Sequence, residues 1–389
     1  MSHQILVINS GSSSIKYCLY DRSDNNFSIV EKGYIERLGN NAQFHLQHGK
    51  NDKSQTLKQD CDHQQAVCFI LDRLEKNSNE KKSLLVGHRL VHGGTRFTSP
   101  VLLDDDIILA LQNLTGLAPL HLPYNLAAIK AFRKQYPSLP QVACFDTAFH
   151  CGHDKPVTQY GLPGRYYHEG IRRYCFHGLS YEYIAEFLKR NDEKLHAGKV
   201  LVAHLGNGSS ICSMHNGVSI DSSMGFSTLD GLLMGTRCGS LDPGVILYLL
   251  QEKQMQVKDI EHLLYTQSGL LGVSDISNDM RDLLSSDQQT AREAIELYIY
   301  RFIRESGSLI NCMHGLDGLV FTGGIGEHAV QIREQICNKL AWLGIELDIV
   351  ANSENCAVIS KASSSVKVCV IPANEELMIA KHTYNTLTA

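Results

Sequence analysis

The chain has 389 residues, 43% apolar and 20% charged, with a formal net charge of -5. That length exceeds one ordinary core and points to two domains of a globular protein. The acidic balance, with no basic run, argues against a nucleic-acid binder, and no apolar run approaches the ~18 residues of a membrane span.

The chain starts with Met-Ser-His-Gln and then enters a strand, so no signal peptide is expected. Over residues 5–8 the apolar run Ile-Leu-Val-Ile reads as a buried strand. It opens into residues 9–14, Asn-Ser-Gly-Ser-Ser-Ser, before a second strand over 15–20 that contains Lys16. An isolated loop of this kind is an ordinary turn. In the right context its small side chains let an anion approach a nest of backbone N–H groups. The polar stretch 40–60 reads as a loop or edge hairpin, and a helix follows over 62–76. A strand over 84–87 leads to Arg89 and a Gly-Gly turn. A helix over 123–135 and a strand over 141–145 then lead to Asp146.

His150, Cys151 and His153 look like a metal tract, but no second Cys/His cluster completes a four-ligand site, so a structural role is expected. The twelve cysteines contain no C-x-x-C pair, and several (Cys68, Cys144, Cys369) sit in apolar runs. Small buried thiols in a reducing cytoplasm fit that pattern. His177 precedes a helix over 180–190, and residues 190–199 form a solvated connector. "VLVAHLGNGSSICSMHNG" then repeats the opening pattern about 195 positions on, with strands over 200–203 and 211–214 flanking a second small-residue loop. Two such units suggest a duplicated domain whose loops close on one polyphosphate. No G-x-x-x-x-G-K-[ST] or G-x-G-x-x-G occurs, and both loops run into another strand, as hairpin turns do.

Arg237 lies in a glycine-flanked loop before a helix over 244–252, and "GVSDISNDMRDL" supplies Asp279 and Arg281. After a helix over 288–312, the strand over 318–321 leads into "TGGIGE", a glycine loop expected between strand and helix. A strand over 367–371 and a helix over 374–386, with Glu375 at its start, complete an α/β chain with mixed sheets. Asp146 and Glu375 could each serve only as helix or turn caps. Two arginines, a histidine, two carboxylates and three glycine loops together make an inventory for phosphoryl transfer.

At these residues the chain resembles the acetate kinase family, from position 6 to about 380. The motifs "NSGSSSIKY", "HRLVHGG", "APLHLP", "FDTAFH", "GIRRYCFHG", "HLGNGSS", "MGTRCGSLDPG", "TGGIGE" and "NEEL" carry the resemblance. It implies two duplicated α/β domains of the actin/Hsp70/sugar kinase type with an interdomain nucleotide cleft. The expected domains are 1–148 closed by 378–389, and a nucleotide-binding domain over 149–377. It also implies reversible transfer of the ATP γ-phosphoryl group to acetate in a cytoplasmic homodimer. ATP/ADP would be the co-substrate and Mg²⁺ the metal, with Mn²⁺ able to substitute.

By resemblance, Asn9 and Glu375 hold the metal, and Ser12, Lys16, His204, Leu205, Gly206, Asn207 and Gly208 face the nucleotide phosphates. Asp279, Met280, Arg281, Gly324, Ile325, Gly326, Glu327 and His328 surround the adenosine. Arg89 and Arg237 hold the acid and the moving phosphoryl group, and His177 stabilises its equatorial oxygens. Val91, Leu120, His121, Phe176 and Thr228 form the acid site. Asp146 is the residue usually described as the family's acid/base. A carboxylate nucleophile has a pKa near 4–5 and is already ionised at pH 7, so Asp146 is expected to orient Mg²⁺ or an arginine instead. The chain departs from the usual pattern at four places. His328 stands where Asn is common, Tyr181 where His is common, Ser240 where an acid is common and Thr228 where Pro is common. A propionate or butyrate kinase of the same fold differs only in pocket volume. An Hsp70/actin-like switch would need no arginine pair or His177.

Overall fold

The computed structural model describes residues 3–23, 26–47, 53–77 and 83–388. The chain divides into two compact units, Met1–Cys151 with Asn374–Ala389, and Gly152–Ala373.

In the first unit, β1 (His3–Ser10), β2 (Ser14–Ser23), β3 (Asn26–Glu36), β4 (Gln43–Gln47), β5 (Lys53–Thr56), β6 (Ser83–Leu90), β7 (Val101–Leu102) and β8 (Gln141–Phe145) form one sheet. Its order is β5-β4-β3-β2-β1-β6-β8-β7. Ile5, Leu6, Val7 and Ile8 are all buried, because strand β1 is covered on both faces. Leu6, Ile8 and Val86 join one core with Ala66, Ile70 and Phe132 of the helices His63–Asn77 and Leu122–Gln135. Gly87, next to Val86, points the other way, as strand alternation requires. A Cβ there would collide with Thr383 and Ile379, so glycine lets the C-terminal helix Glu375–Thr388 lie close on the sheet.

The second unit holds β9 (Lys199–Leu205), β10 (Ser209–His215), β11 (Val218–Ser222), β12 (Gly318–Thr322) and β13 (Lys367–Val370), in the order β11-β10-β9-β12-β13. Strand β9 pairs antiparallel with β10 and parallel with β12, as β1 does with β2 and β6. The outer parallel partners also correspond, β13 on β12 and β8 on β6. Five strands of each sheet therefore share one topology, and both small-residue loops are hairpin turns from the central strand. The long helix Gln289–Met313 buries Ile295, Ile299 and Phe302 in the core of this unit, with Leu201, Leu319 and Phe321 from the sheet.

Strands β3, β7 and β11 and the helices Asp105–Gln112 and Val257–Thr266 were not expected from the sequence. Strand β3 escapes pattern reading because Ile29 and Val30 are exposed while polar residues flank them. The stretch 40–60 carries β4, which also pairs with β3, and the edge strand β5 antiparallel to it, with residues 48–52 outside the described part. Charged and polar residues on such an edge oppose pairing with other chains. The expected glycine loop after residue 321 is corrected: the helix Gly323–His328 starts directly after β12, so the glycines form its first turn.

Candidate active site

In the first unit, the functional side chains gather at the carboxyl ends of the parallel strands, where open α/β sheets hold their ligands. Arg89 is the penultimate residue of β6, and Asp146 directly follows β8, its N–H donating to the carbonyl of Leu90. Arg89 Nε donates to Asp146 Oδ1 at 3.0 Å, and Nη2 donates to Oδ2 at 2.7 Å. Glu375, on the first turn of the C-terminal helix, places Oε2 3.2 Å from Arg89 Nη1. Burial disfavours the Arg89 cation, but Asp146 and Glu375 outweigh it and raise its pKa. The forked geometry fixes the guanidinium plane.

Asn9 and Lys16 face each other across the β1/β2 ladder, with Lys16 and Ser12 exposed. Asn125 ties this loop to the Arg89 strand, donating to the Ser10 carbonyl at 2.6 Å while its Oδ1 accepts from Val91 N–H at 3.1 Å. Val91 is buried; Leu120 is exposed and His121 half-buried at the start of the helix Leu122–Gln135.

The second unit brings together His177, Gly208 and Arg237. His177 adopts a left-handed backbone (φ 58°) at the start of the helix Gly178–Asn191. Its Nδ1 is 2.8 Å from Ser210 Oγ on β10, and its ring lies 4.5 Å from that of His204, whose Nδ1 is 2.8 Å from Ser180 Oγ. A Cβ on Gly208 would sit 3.5 Å from His177 Nε2 and 3.8 Å from Arg237 Nη1, so glycine keeps open the space those groups share. Arg237 is half-buried and donates to the Thr228 carbonyl at 3.2 Å. No carboxylate among the described residues lies within ion-pair reach of it. Burial lowers its pKa, which marks a cation short of compensating charge.

Beside this group lies a cavity of about 470 Å³. Gly206, Asn207 and Gly324 line it, with Met280, Leu284, Ile325 and Ala329 as apolar wall and Asn278, Asp279, Arg281 and His328 as polar groups. Its size and mixed wall suit a small organic ligand. Asp279 caps the helix Met280–Leu284 and pairs with Arg281, Nε to Oδ1 at 3.0 Å; that hydrogen bond lowers the Asp279 pKa. The wall at Gly323–His328 is held from behind. Glu327 Oε1 accepts from the N–H groups of Gly323 and Ala373, at 3.0 and 2.9 Å. Arg333, fully buried, donates to the carbonyls of Gly326 and Glu327 and to Asn352 and Asn355.

Not every expected residue reaches a ligand surface. Leu205 is fully buried in β9, Gly326 is buried, and Glu327 uses its carboxylate within the wall, so none of the three lines the cavity. Asn278, Leu284 and Ala329 line it and were missed; Leu284 follows Met280 by one helical turn, a spacing that could have found it. Phe176 and Thr228 are buried in the second unit, whereas Val91 and Leu120 belong to the first. Ser240 bridges its own loop, donating to Asp230 Oδ1 at 2.9 Å and accepting from Gly231 N–H at 3.2 Å.

Residues 4–381 match the acetokinase family. The chain is 48% identical to an acetate kinase of Rhodopseudomonas palustris, over 99% of this chain and 98% of that one. It is 45% identical to an acetate kinase of Methylocella silvestris, over 98% of each. Among solved structures it is similar to a propionate kinase of Francisella tularensis, with TM-score 0.92, 37% identity and coverage of 98% and 99%. It is also similar to the acetate kinase of Porphyromonas gingivalis, with TM-score 0.89, 36% identity and coverage of 99% and 100%.

Proposed function

The chain belongs to the acetokinase family, and on that premise we propose that it transfers the γ-phosphoryl group of ATP to acetate, reversibly and directly, giving acetyl phosphate and ADP. The observation that carries this reading is the state of the two arginines. Arg89 is fixed in plane by Asp146 and Glu375, while Arg237 is a half-buried cation beside His177 with neutral partners. Bringing an anionic acid to an anionic phosphate demands such groups, and a carboxylate acceptor leaves no proton to remove at pH 7. Arg89 orients the acid, Arg237 and His177 take up charge on the moving phosphoryl group, and the backbone of residues 206–208 faces the phosphates. The cavity at Met280 and Ile325 takes the adenosine. Asp146 holds Arg89 and does not act as a base.

The carboxylate of Glu375 and the amide oxygen of Asn9 are hard oxygen donors of the kind Mg²⁺ prefers. When bound, Mg²⁺ would neutralise charge on the β- and γ-phosphates. A coupled assay for ADP release tests the whole reading: release that depends on acetate supports it, and ATP turnover indifferent to added acid overturns it.

We also propose a preference for acetate over propionate and propionate over butyrate. Val91 is β-branched and stiff, and Thr228 offers a longer chain little apolar reward. One methylene is worth roughly 1–3 kcal/mol, so kcat/KM should fall about ten- to two-hundredfold per added carbon. Val91→Ala should narrow the ratio. A wild-type preference for propionate would move the substrate to the longer acid and leave the kinase reading intact.

The homodimer rests on the helix Pro243–Gln251, which has no buried residue although its sequence is PGVILYLLQ; Leu247 and Tyr248 are 54% and 52% exposed. A second copy covering this face accounts for an apolar helix left open to solvent. Light scattering should give the mass of two chains, and Leu247→Asp with Tyr248→Asp should give one. A wild-type mass of one chain would refute the dimer. That all twelve cysteines are thiols suits a cytoplasmic location.

A further inference from the structure

Tyr181 is completely buried on the helix Gly178–Asn191, and its hydroxyl is hydrogen-bonded to Ser210 Oγ. Ser210, also fully buried, is in turn 2.8 Å from His177 Nδ1. Three side chains from one helix and one strand thus form a line that ends on the imidazole. The other ring nitrogen of His177, Nε2, borders the space above Gly208 that Arg237 Nη1 also borders.

A serine hydroxyl has a single proton, so Ser210 cannot donate to both neighbours. A phenol, with an ordinary pKa near 10, is a better donor than an alkyl hydroxyl and a weaker acceptor. The favoured order is therefore Tyr181 O–H to Ser210 Oγ, and Ser210 O–H to His177 Nδ1. A nitrogen that accepts is unprotonated, so the proton of the neutral ring sits on Nε2. We propose that Tyr181 is a positioning residue: acting through Ser210, it fixes the His177 tautomer that presents Nε2–H as a donor beside Arg237. The inference deepens the phosphoryl-transfer reading and rests on it for the purpose of that donor. A histidine at this place could donate or accept and would leave the order open. The left-handed backbone of His177 makes the same demand, because a conformation that non-glycine residues adopt at a cost persists only when its surroundings hold it.

The test is ¹⁵N-histidine NMR of the ligand-free protein, with the His177 signal identified by its loss in His177→Gln. The wild-type ring should read as the Nε2–H tautomer. Tyr181→Phe should shift it toward a mixture and lower kcat about five- to tenfold, the worth of one weakened hydrogen bond, with the KM of ATP and acetate unchanged. Ser210→Ala cuts the same line from the other side and should give the same tautomer shift, so it decides the matter where the phenylalanine variant does not fold. A wild-type Nδ1–H reading, or an Nε2–H reading that survives both substitutions, overturns the proposal. The NMR signature needs no substrate, so a wild-type protein without acetate-dependent ADP release would overturn the functional reading, while the spectrum judges the hydrogen-bond order by itself.

Discussion

Replacing Arg237 with lysine should lower kcat by about 100- to 1,000-fold while the KM for ATP stays within about threefold. Lysine keeps the charge but loses the planar fork that spans two oxygens. Hydrogen bonds to a charged group are worth about 1.5–3 kcal/mol each, and every 1.36 kcal/mol is tenfold in rate. In the arginine, Nη1 donates to the Thr228 carbonyl beside His177 and Gly208, and lysine, with a single nitrogen, cannot hold that anchor and also span two oxygens of the reacting group. On the proposed function ATP affinity is set elsewhere, in the cavity walled by Met280, Leu284 and Ile325. Steady-state kinetics with both substrates varied decides it. A kcat within about threefold of wild type would remove Arg237 from the reaction sphere.

Asp146→Asn should lower kcat about 100-fold, and the reason is Arg89. The carboxylate is 2% exposed and grips the guanidinium through two oxygens; an amide offers one neutral acceptor in its place. Breaking a buried pair of this kind costs about 3–5 kcal/mol, shared between stability and function. The double variant Arg89→Ala with Asp146→Asn separates the two roles. If Asp146 acts through Arg89, the double variant is no slower than Arg89→Ala alone, because the interaction is already gone. An independent proton acceptor would add its own hundredfold loss. An additive pair would therefore restore the acid/base assignment for Asp146.

The strands that position these groups were legible because they are buried on both faces. Ile5 to Ile8, Leu201 to Ala203 and Leu319 to Phe321 read as unbroken apolar runs that end in small residues or charge. Strands β3 and β11 were not: β3, though paired on both sides, leaves Ile29 and Val30 exposed, and β11, an edge strand of five residues, carries a mixed pattern. At the site, the sequence distinguished chemistry from packing only where charge marked it. Arg89, Asp146 and Glu375 were found as separate charged residues, but their convergence on one guanidinium depends on three elements far apart in the chain. Glu327 shows the opposite failure: a carboxylate beside glycines looks like a ligand group, yet it spends its oxygen on two backbone N–H groups. Ser210 passed as one more small loop residue, because a hydroxyl's partners are not encoded in spacing.

Arg333 places a full positive charge among neutral acceptors beneath the cavity wall, with burial lowering its pKa. Every donor direction is taken up by the carbonyls of Gly326, Glu327 and Asn352 or the amides of Asn352 and Asn355. The glycine-rich turn, which in isolation would sample many shapes, is therefore riveted in one before any ligand arrives. A nucleotide entering this cavity meets a rigid surface and forfeits little affinity to ordering it. On the proposed function, affinity for the base is thereby tied to the short helix Ile349–Ser353 and to Asn355 after it, so damage in that segment would surface as weaker nucleotide binding.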